Sequence, residues 1–432
     1  MNRHVGSIFD VFKIGVGPSS SHTLAPVRAA RIFLERLGGP PARIRVTLRG
    51  SLAETGKGHL TDRSIAAVLS AVPHEFIWDT RTAALPHPNT LEFEALDASG
   101  GVLQAWTVFS TGGGSLADDK GPVGEADPAR HPCANISEAL QHCEDEQLTY
   151  WQFVERHENA VWRRLEEVWA AMKASLERGL SSDQVVLPGT LKLPRRAGTT
   201  YLRAQSLRSP ERDIALLSAF ALAVAEENAN GGDIVTAPSC GPAGVLAGLL
   251  YYFEAIRGLP QREILRAIAT AGLFGSVIRS NASVSGAEVG CQGEIGSACS
   301  MAAAAGSQLM GGSLRQIEYA AEIAMEHHLG LTCDPVEGYV QIPCIERNMT
   351  GCLRAFESAS FSLLTDGRHL VSFDEVVEVM YRTGLDLQSA YRETARGGLA
   401  SIWRKRMTRR PEEVARPARP VASEAPGGVL CD

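Results

Sequence analysis

Between Ile44 and Leu48 the run IRVTL alternates apolar and polar side chains, and similar short runs recur at His74 to Trp78, Leu91 to Leu96 and Val102 to Val108. A period of two predicts strands with one buried face. Ahead of them, Pro26 to Leu37 reads as a helix, so this region is expected to form a small α/β domain over residues 1–130. Further on the period changes. Val154, Val161, Leu165, Val168, Trp169, Met172 and Leu176 fall at helical spacing, and Glu211 to Glu227 and Gln261 to Ile278 read similarly. The expected class is α+β, with a larger, mainly helical catalytic domain over residues 145–408.

Three kinds of interruption punctuate this pattern. Ser115 to Cys143 is polar and centred on ADDKGPVGEADPARHP, which predicts a loop that contains the domain boundary. Gly- and Ser-rich segments break the helices at Asn230 to Gly244, Asn281 to Ser297 and Cys333 to Thr350, and such breaks inside a packed domain usually serve a site. The last stretch, RRPEEVARPARPVASEAPGGVLCD, carries four prolines and little that would build a core, so residues 409–432 are expected to be a flexible tail.

Composition narrows the function more than the fold. The chain has 432 residues with 44% hydrophobic and 21% charged side chains, ordinary for a globular protein. Its net charge is −7 and its Lys and Arg residues are scattered, so the basic stripe of a nucleic-acid binder is missing. The N-terminus lacks the apolar core of a signal peptide, and runs such as Gly244 to Phe253 are too short to span a bilayer. A cytoplasmic enzyme with a small-molecule partner, no nucleic acid and no membrane is the expectation.

Nine cysteines are an odd number for a disulfide framework, and in such a chain cysteines more often ligate metals or take part in catalysis. Cys291 in GAEVGCQGEIG, Cys333 in GLTCDPVEG and Cys344 in QIPCIERN all sit in the Gly-rich breaks. As a set they fit a metal site, although their gaps are too wide to name the metal. Cys133, Cys143, Cys240, Cys299 and Cys352 read as small buried hydrophobes. His59, in the turn GSLAETGKGHLTD, is a candidate general base, and Lys57 beside it is a second catalytic candidate. GPSSSHTLAP places Ser19, Ser20, Ser21, His22 and Thr23 ahead of a helix, as either an anion site or a plain N-cap. Gly112 and Gly113 in FSTGGGS could set N–H groups against a carboxylate or a phosphate. Asn281, Ser283 and Ser285 lie just upstream of Cys291, where capping is as good a reading as binding.

The segment NASVSGAEVGCQGEIGSACSMAAA, followed by CDPVEGYVQIPCIERN, closely resembles the bacterial iron-sulfur L-serine dehydratases, also called L-serine ammonia-lyases. That family holds a [4Fe-4S] cluster with cysteines spaced C-x41-C-x10-C, and Cys291, Cys333 and Cys344 reproduce both gaps. The likeness runs from GPSSSHT to ETARGGLA, nearly the whole chain. It implies a cluster with one open iron acting as a Lewis acid on the hydroxyl of L-serine, with pyruvate and ammonia as products. It also implies that GKGHLTD supplies the general base, His59, and that SSSHT lines the active site. TAPSCGPAG resembles a further family segment, which assigns Thr236, Ser239 and Gly241 to the pocket. Ala25 stands where family members usually have Gly, a departure that touches only fine loop geometry. The likeness implies a homodimer and a small domain similar to an allosteric substrate-binding module. Cys431, next to the chain end, is expected to ligate the fourth iron until substrate displaces it; an extended chain from Arg409 spans up to ~70 Å, so length permits this.

Two other classes compete. A pyridoxal-phosphate dehydratase would need a Schiff-base lysine and a phosphate cup, superficially offered by FKIG at Phe12 to Gly15 and GGGS at Gly112 to Ser115. With six lysines in the chain, neither segment has the expected surroundings, and the cysteine spacing stays unexplained. An amino-acid sensor with a degraded catalytic domain should have lost one of Cys291, Cys333, Cys344 and His59, and all are present.

Overall fold

The computed structural model describes residues 4–81, 85–124 and 129–409. The fold is α+β. Its smaller layer is a six-stranded sheet in the spatial order His74–Asp79, Arg43–Gly50, Asn89–Leu96, Val102–Ser110, Leu116–Asp118, Gly121–Val123. Only the first pair is parallel; the rest of the sheet is antiparallel. The alternation works as predicted: Ile44, Val46 and Leu48, with Leu91, Phe93 and Ala95 of the neighbouring strand, are fully buried. Helix Ala25–Arg36 covers that face, and Phe33 stacks on Phe93 with ring centroids 5.2 Å apart. The opposite face carries charges, with Arg45 paired to Glu75 and Glu94 and Arg49 to Glu92 and Asp79.

The stretch read as a loop is more structured than its composition suggests. Leu116–Asp118 and Gly121–Val123 form a short hairpin that finishes the sheet, and Ile136–Asp145 is a helix capped by the Asn135 side chain. The run from Val154 to Leu176 is two helices, Tyr150–His157 and Val161–Ser181, with Ala160 between them in the left-handed region at φ 50°.

The larger layer is a helical bundle around Ser297–Leu309, whose residues are buried from Ser297 through Ser307. The sequence SACSMAAAAGS explains how: small side chains let helices Gln261–Asn281, Leu314–Glu326, Cys344–Ser362 and Ala243–Ala255 approach from every side. The first residues of the chain join this bundle. Val5, Ile8, Phe9, Val11 and Phe12 lie in its core, and strand Ile14–Val16 pairs antiparallel with Asp233–Val235. The chain then turns into Ser20–Leu24 and Ala25–Arg36, so residues 17–24 lie where bundle and sheet meet. Among the described residues, no helix is long and apolar enough to cross a membrane.

Candidate metal and proton-transfer site

Two loops of the sheet side supply the histidines. The Ser19 hydroxyl accepts from the His22 N–H at 3.2 Å and caps the tight helical turn Ser20–Leu24, so the serine run acts locally as an N-cap. The second loop follows helix Ser51–Thr55 and carries His59. Each loop holds the other. Thr23 Oγ1 donates to the His59 carbonyl at 2.7 Å, and Thr61 Oγ1 donates to the His22 carbonyl at 2.5 Å. The two imidazoles consequently sit with ring centroids 4.4 Å apart. Gly58 is required between them and the bundle: a Cβ there would lie 2.6 Å from the Gly338 backbone.

Hydrogen bonding fixes both tautomers. His59 Nδ1 lies 3.0 Å from the Thr55 carbonyl, which only accepts, so Nδ1 carries the proton and Nε2 is left as a lone pair. Ser51 donates to the Glu393 carbonyl and therefore accepts from His22 Nε2 at 3.0 Å, while His22 Nδ1 accepts from Ser21. Burial lowers His59 to about 4 and takes His22 well below the usual histidine range, with His59 adding to the latter effect. Both rings are neutral at neutral pH.

The thiols come from the bundle. Cys291 starts the turn Gln292–Gly296, Cys333 precedes the short turn Val336–Gly338, and Cys344 opens helix Cys344–Ser362. Ligand atoms of Cys291, Glu294 and Cys333 all lie within 4.8 Å of one another. Cys344 lines the same cavity, together with Ser19, His59, Gly241 and Glu393. Three thiols from distant segments form a soft, thiophilic donor set. Gly286 leaves room beside it, since a Cβ there would come 2.5 Å from Glu294 Oε2 and 3.2 Å from Cys333 Sγ. The residues therefore fit a Cys-rich metal site.

Charge is balanced around these sulfurs. A hydrogen bond from Cys333 and the neighbouring Arg347 guanidinium bring Cys291 down to about 6 against the effect of burial, and Cys333 rises correspondingly. Burial raises Cys344. Arg347 is held by the Thr332 carbonyl at 2.6 Å and Asp334 at 3.8 Å.

Two carboxyl groups join the site that the sequence reading did not single out. Glu393 Oε1 lies 3.7 Å from His59 Nε2 and 3.6 Å from His22 Nδ1, and burial raises its carboxyl to about 8. Burial raises Glu294 too, and it accepts from Ser239 Oγ at 2.9 Å. Glu294 lies three residues beyond Cys291 on one turn, a spacing that places both on one side. Glu393 carried no local signal. It is brought in by the chain end, where Cys333 N donates to Tyr391 O and Glu393 N to Cys333 O, both at 2.8 Å.

The remaining candidates divide. Ser20 bonds Cys240, accepting from its N–H at 2.7 Å, and ties the SSSHT turn to TAPSCGPAG. Thr236 accepts from Lys13 N and donates to Val11 O, so it braces the first strand and stands outside the cavity lining. Gly112 and Gly113 are left-handed, at φ 92° and 54°, pack on Ser285 and Arg279, and are not part of the thiol cavity's lining. Asn281 is exposed and donates to Ala134 O; Ser283 donates to Glu288. Lys57 points outward, its ammonium 5.4 Å from the Trp78 ring centroid. Cys133, Cys143, Cys240, Cys299 and Cys352 are buried, and burial raises each thiol. Cys431 and the tail from residue 410 lie outside the described residues.

Two buried thiols and a half-buried one, sharing a cavity with the neutral His59 imidazole and two raised carboxyls, make a candidate metalloenzyme centre with its own proton-transfer groups. The family model for the serine dehydratase alpha chain matches residues 115–400, and that for the serine dehydratase beta chain matches residues 7–74. The chain is 40% identical to L-serine dehydratase of Streptomyces coelicolor, 39% to that of Haemophilus influenzae and 39% to L-serine dehydratase 2 of Escherichia coli, each time over 91% of this chain and 98% of the relative. The chain belongs to the serine dehydratase family, as a bacterial member with both parts fused in one polypeptide.

Proposed function

We propose that this protein is a carbon–oxygen lyase that converts L-serine to pyruvate and ammonia at the cavity between bundle and sheet. The observation that carries the reading is the meeting of Cys291, Cys333 and Cys344 with His59 on one cavity, in a chain of this family. We assign the three cysteines to a [4Fe-4S] cluster, for which three thiolates leave one iron able to polarise the substrate hydroxyl. His59 Nε2, unprotonated and aimed into the cavity, takes the proton from Cα. Glu393, protonated near neutrality and within 3.7 Å of both imidazoles, holds the proton needed on the leaving side. The Ser19–Thr23 turn, at the start of helix Ala25–Arg36, orients the substrate carboxylate. Loss of water leaves aminoacrylate, which tautomerises and hydrolyses to pyruvate and ammonium in solvent.

Cys431 is assigned as a displaceable fourth thiolate, and the working form as a cytoplasmic homodimer, as the family likeness implies. The decisive experiment is pyruvate release from L-serine by protein purified without oxygen and without pyridoxal phosphate, repeated after exposure to air. Activity lost in air is expected. Activity that survives air, or needs pyridoxal phosphate, overturns the cluster and reopens the lysine chemistry. Cys431→Ser should change the activity lag and the air sensitivity; identical behaviour removes the fourth thiolate.

A further inference from the structure

The seam between sheet and bundle also opens into a cavity of about 670 Å³, separate from the thiol cavity and lined by Lys13, Arg28, Arg164, Arg279, Asp10 and Ser115 among others. The elements that wall it are unrelated in sequence. Lys13 precedes strand Ile14–Val16, Arg28 lies on helix Ala25–Arg36, Arg279 ends helix Gln261–Asn281, and Ser115 follows the triple glycine of the sheet edge.

Lys13, Arg28 and Arg279 share this cavity with Asp10, and among the described residues none of the three cations forms an ion pair. Each is held in place by neutral acceptors instead. Lys13 Nζ donates to Gly113 O at 3.0 Å and Ser115 Oγ at 2.7 Å, Arg279 donates to Ser115 Oγ at 2.9 Å and Asp10 O at 3.4 Å, and Arg28 donates to Gly114 O. A guanidinium has five N–H donors, and these contacts use only some of them. Crowding like charges in a partly dry seam is costly unless an anion repays it. The cost is visible at Lys13, which burial and the charges of Arg279 and Arg28 bring down to about 7. The glycine loop turns carbonyls toward the cations, so recognition here falls to the side chains and not to a backbone cup.

We propose that this cavity binds a small dianionic oxyanion, of the phosphate or phosphomonoester class, between Lys13, Arg28 and Arg279. Two forked guanidinium groups and an ammonium set against Asp10 leave two positive charges, which a dianion balances and a single carboxylate does not. The site is coupled to the first one by short covalent and hydrogen-bonded links: Lys13 N and O bond Thr236, and the same strand runs on to Ser19. A dianion there bridges bundle and sheet, the two halves that supply thiols and histidines.

The test is equilibrium dialysis of the full chain, purified anaerobically, against inorganic phosphate, with chloride at matched ionic strength as the background. Saturable binding at one site per chain is expected, weakened at least tenfold in Arg279→Gln and in Lys13→Gln. The partly exposed Arg28→Gln serves if either of those fails to fold. Malonate should displace phosphate while acetate at the same concentration does not. Titration with glycerol 3-phosphate separates the sources, since tighter binding than phosphate assigns an ester and weaker binding assigns the free ion. No saturable binding, affinity unchanged in the variants, or equal displacement by acetate overturns the proposal.

Discussion

The two walls of the thiol cavity are built by opposite means. On the sheet side, His22 and His59 are fixed by hydroxyls and carbonyls of their own two loops and of Ser51, and His59 Nδ1 and both ring nitrogens of His22 have neutral partners within 3.0 Å. On the bundle side, the sulfurs of Cys291, Cys333 and Cys344 have few such ties, and their environment is set by burial, by one another, by the Arg347 cation and by the carboxyls of Glu294 and Glu393. The difference teaches which wall tolerates change. Groups held by neutral hydrogen bonds keep a defined tautomer without a ligand, while thiols held by mutual interaction respond to whatever they bind.

The largest expected effect comes from the bundle wall. Cys291→Ser, Cys333→Ser or Cys344→Ser should each reduce turnover by more than about 10²-fold and remove bound iron and its visible absorption, because a ligand outweighs the outer-shell partners that alone give 10- to 100-fold. Retained iron in all three variants would dissolve the contrast. Next comes His59→Asn, for which a loss of about 10²–10⁴ in kcat with iron content unchanged separates proton transfer from metal binding. The same substitution should alter stability. Burial holds His59 near 4 where an unfolded histidine titrates at about 6.5, so the unfolded chain binds more protons between those values and stability rises with pH. Melting temperature should therefore drop as pH falls from 6.5 toward 4, and drop less in His59→Asn, the difference being worth up to about 3 kcal/mol.

A smaller effect tests the stitching. Thr61→Val leaves the buried His22 carbonyl without its donor, which should cost about 1–3 kcal/mol in denaturant unfolding. Lys57→Met, at the small end, should leave kcat unchanged, because its ammonium lies over Trp78 and outside the cavity lining. A drop comparable to that of His59→Asn would place Lys57 in the chemistry after all.

What the sequence disclosed follows the range of the interactions. Strands such as Arg43–Gly50 and helix Ala25–Arg36 were legible because one face meets a core and the other meets water, which leaves a period. The hairpin at 116–123 was not, since three-residue polar strands have no period to read. The docking of Val5 to Phe12 on the bundle was hidden because their partners lie far along the chain. In the site, the Gly-rich breaks drew attention to the cysteines and the GKGH turn to His59, and the structure brings these onto one cavity, whereas Lys57, two residues from His59, lies over Trp78 outside that lining. Glu393 was invisible because nothing local distinguishes it, and only the pairing of Cys333 with the chain end makes it a wall of the cavity.

That pairing has a meaning for biosynthesis. Cys291, Cys333 and Cys344 leave the ribosome well before Tyr391 and Glu393, whose backbone clasps Cys333. During that interval Cys333 lacks both of those backbone partners and the cavity lacks Glu393 in its wall. A chain that stopped before residue 393 would keep all three cysteines and lose both the backbone bond from Glu393 to Cys333 and the carboxyl beside His59.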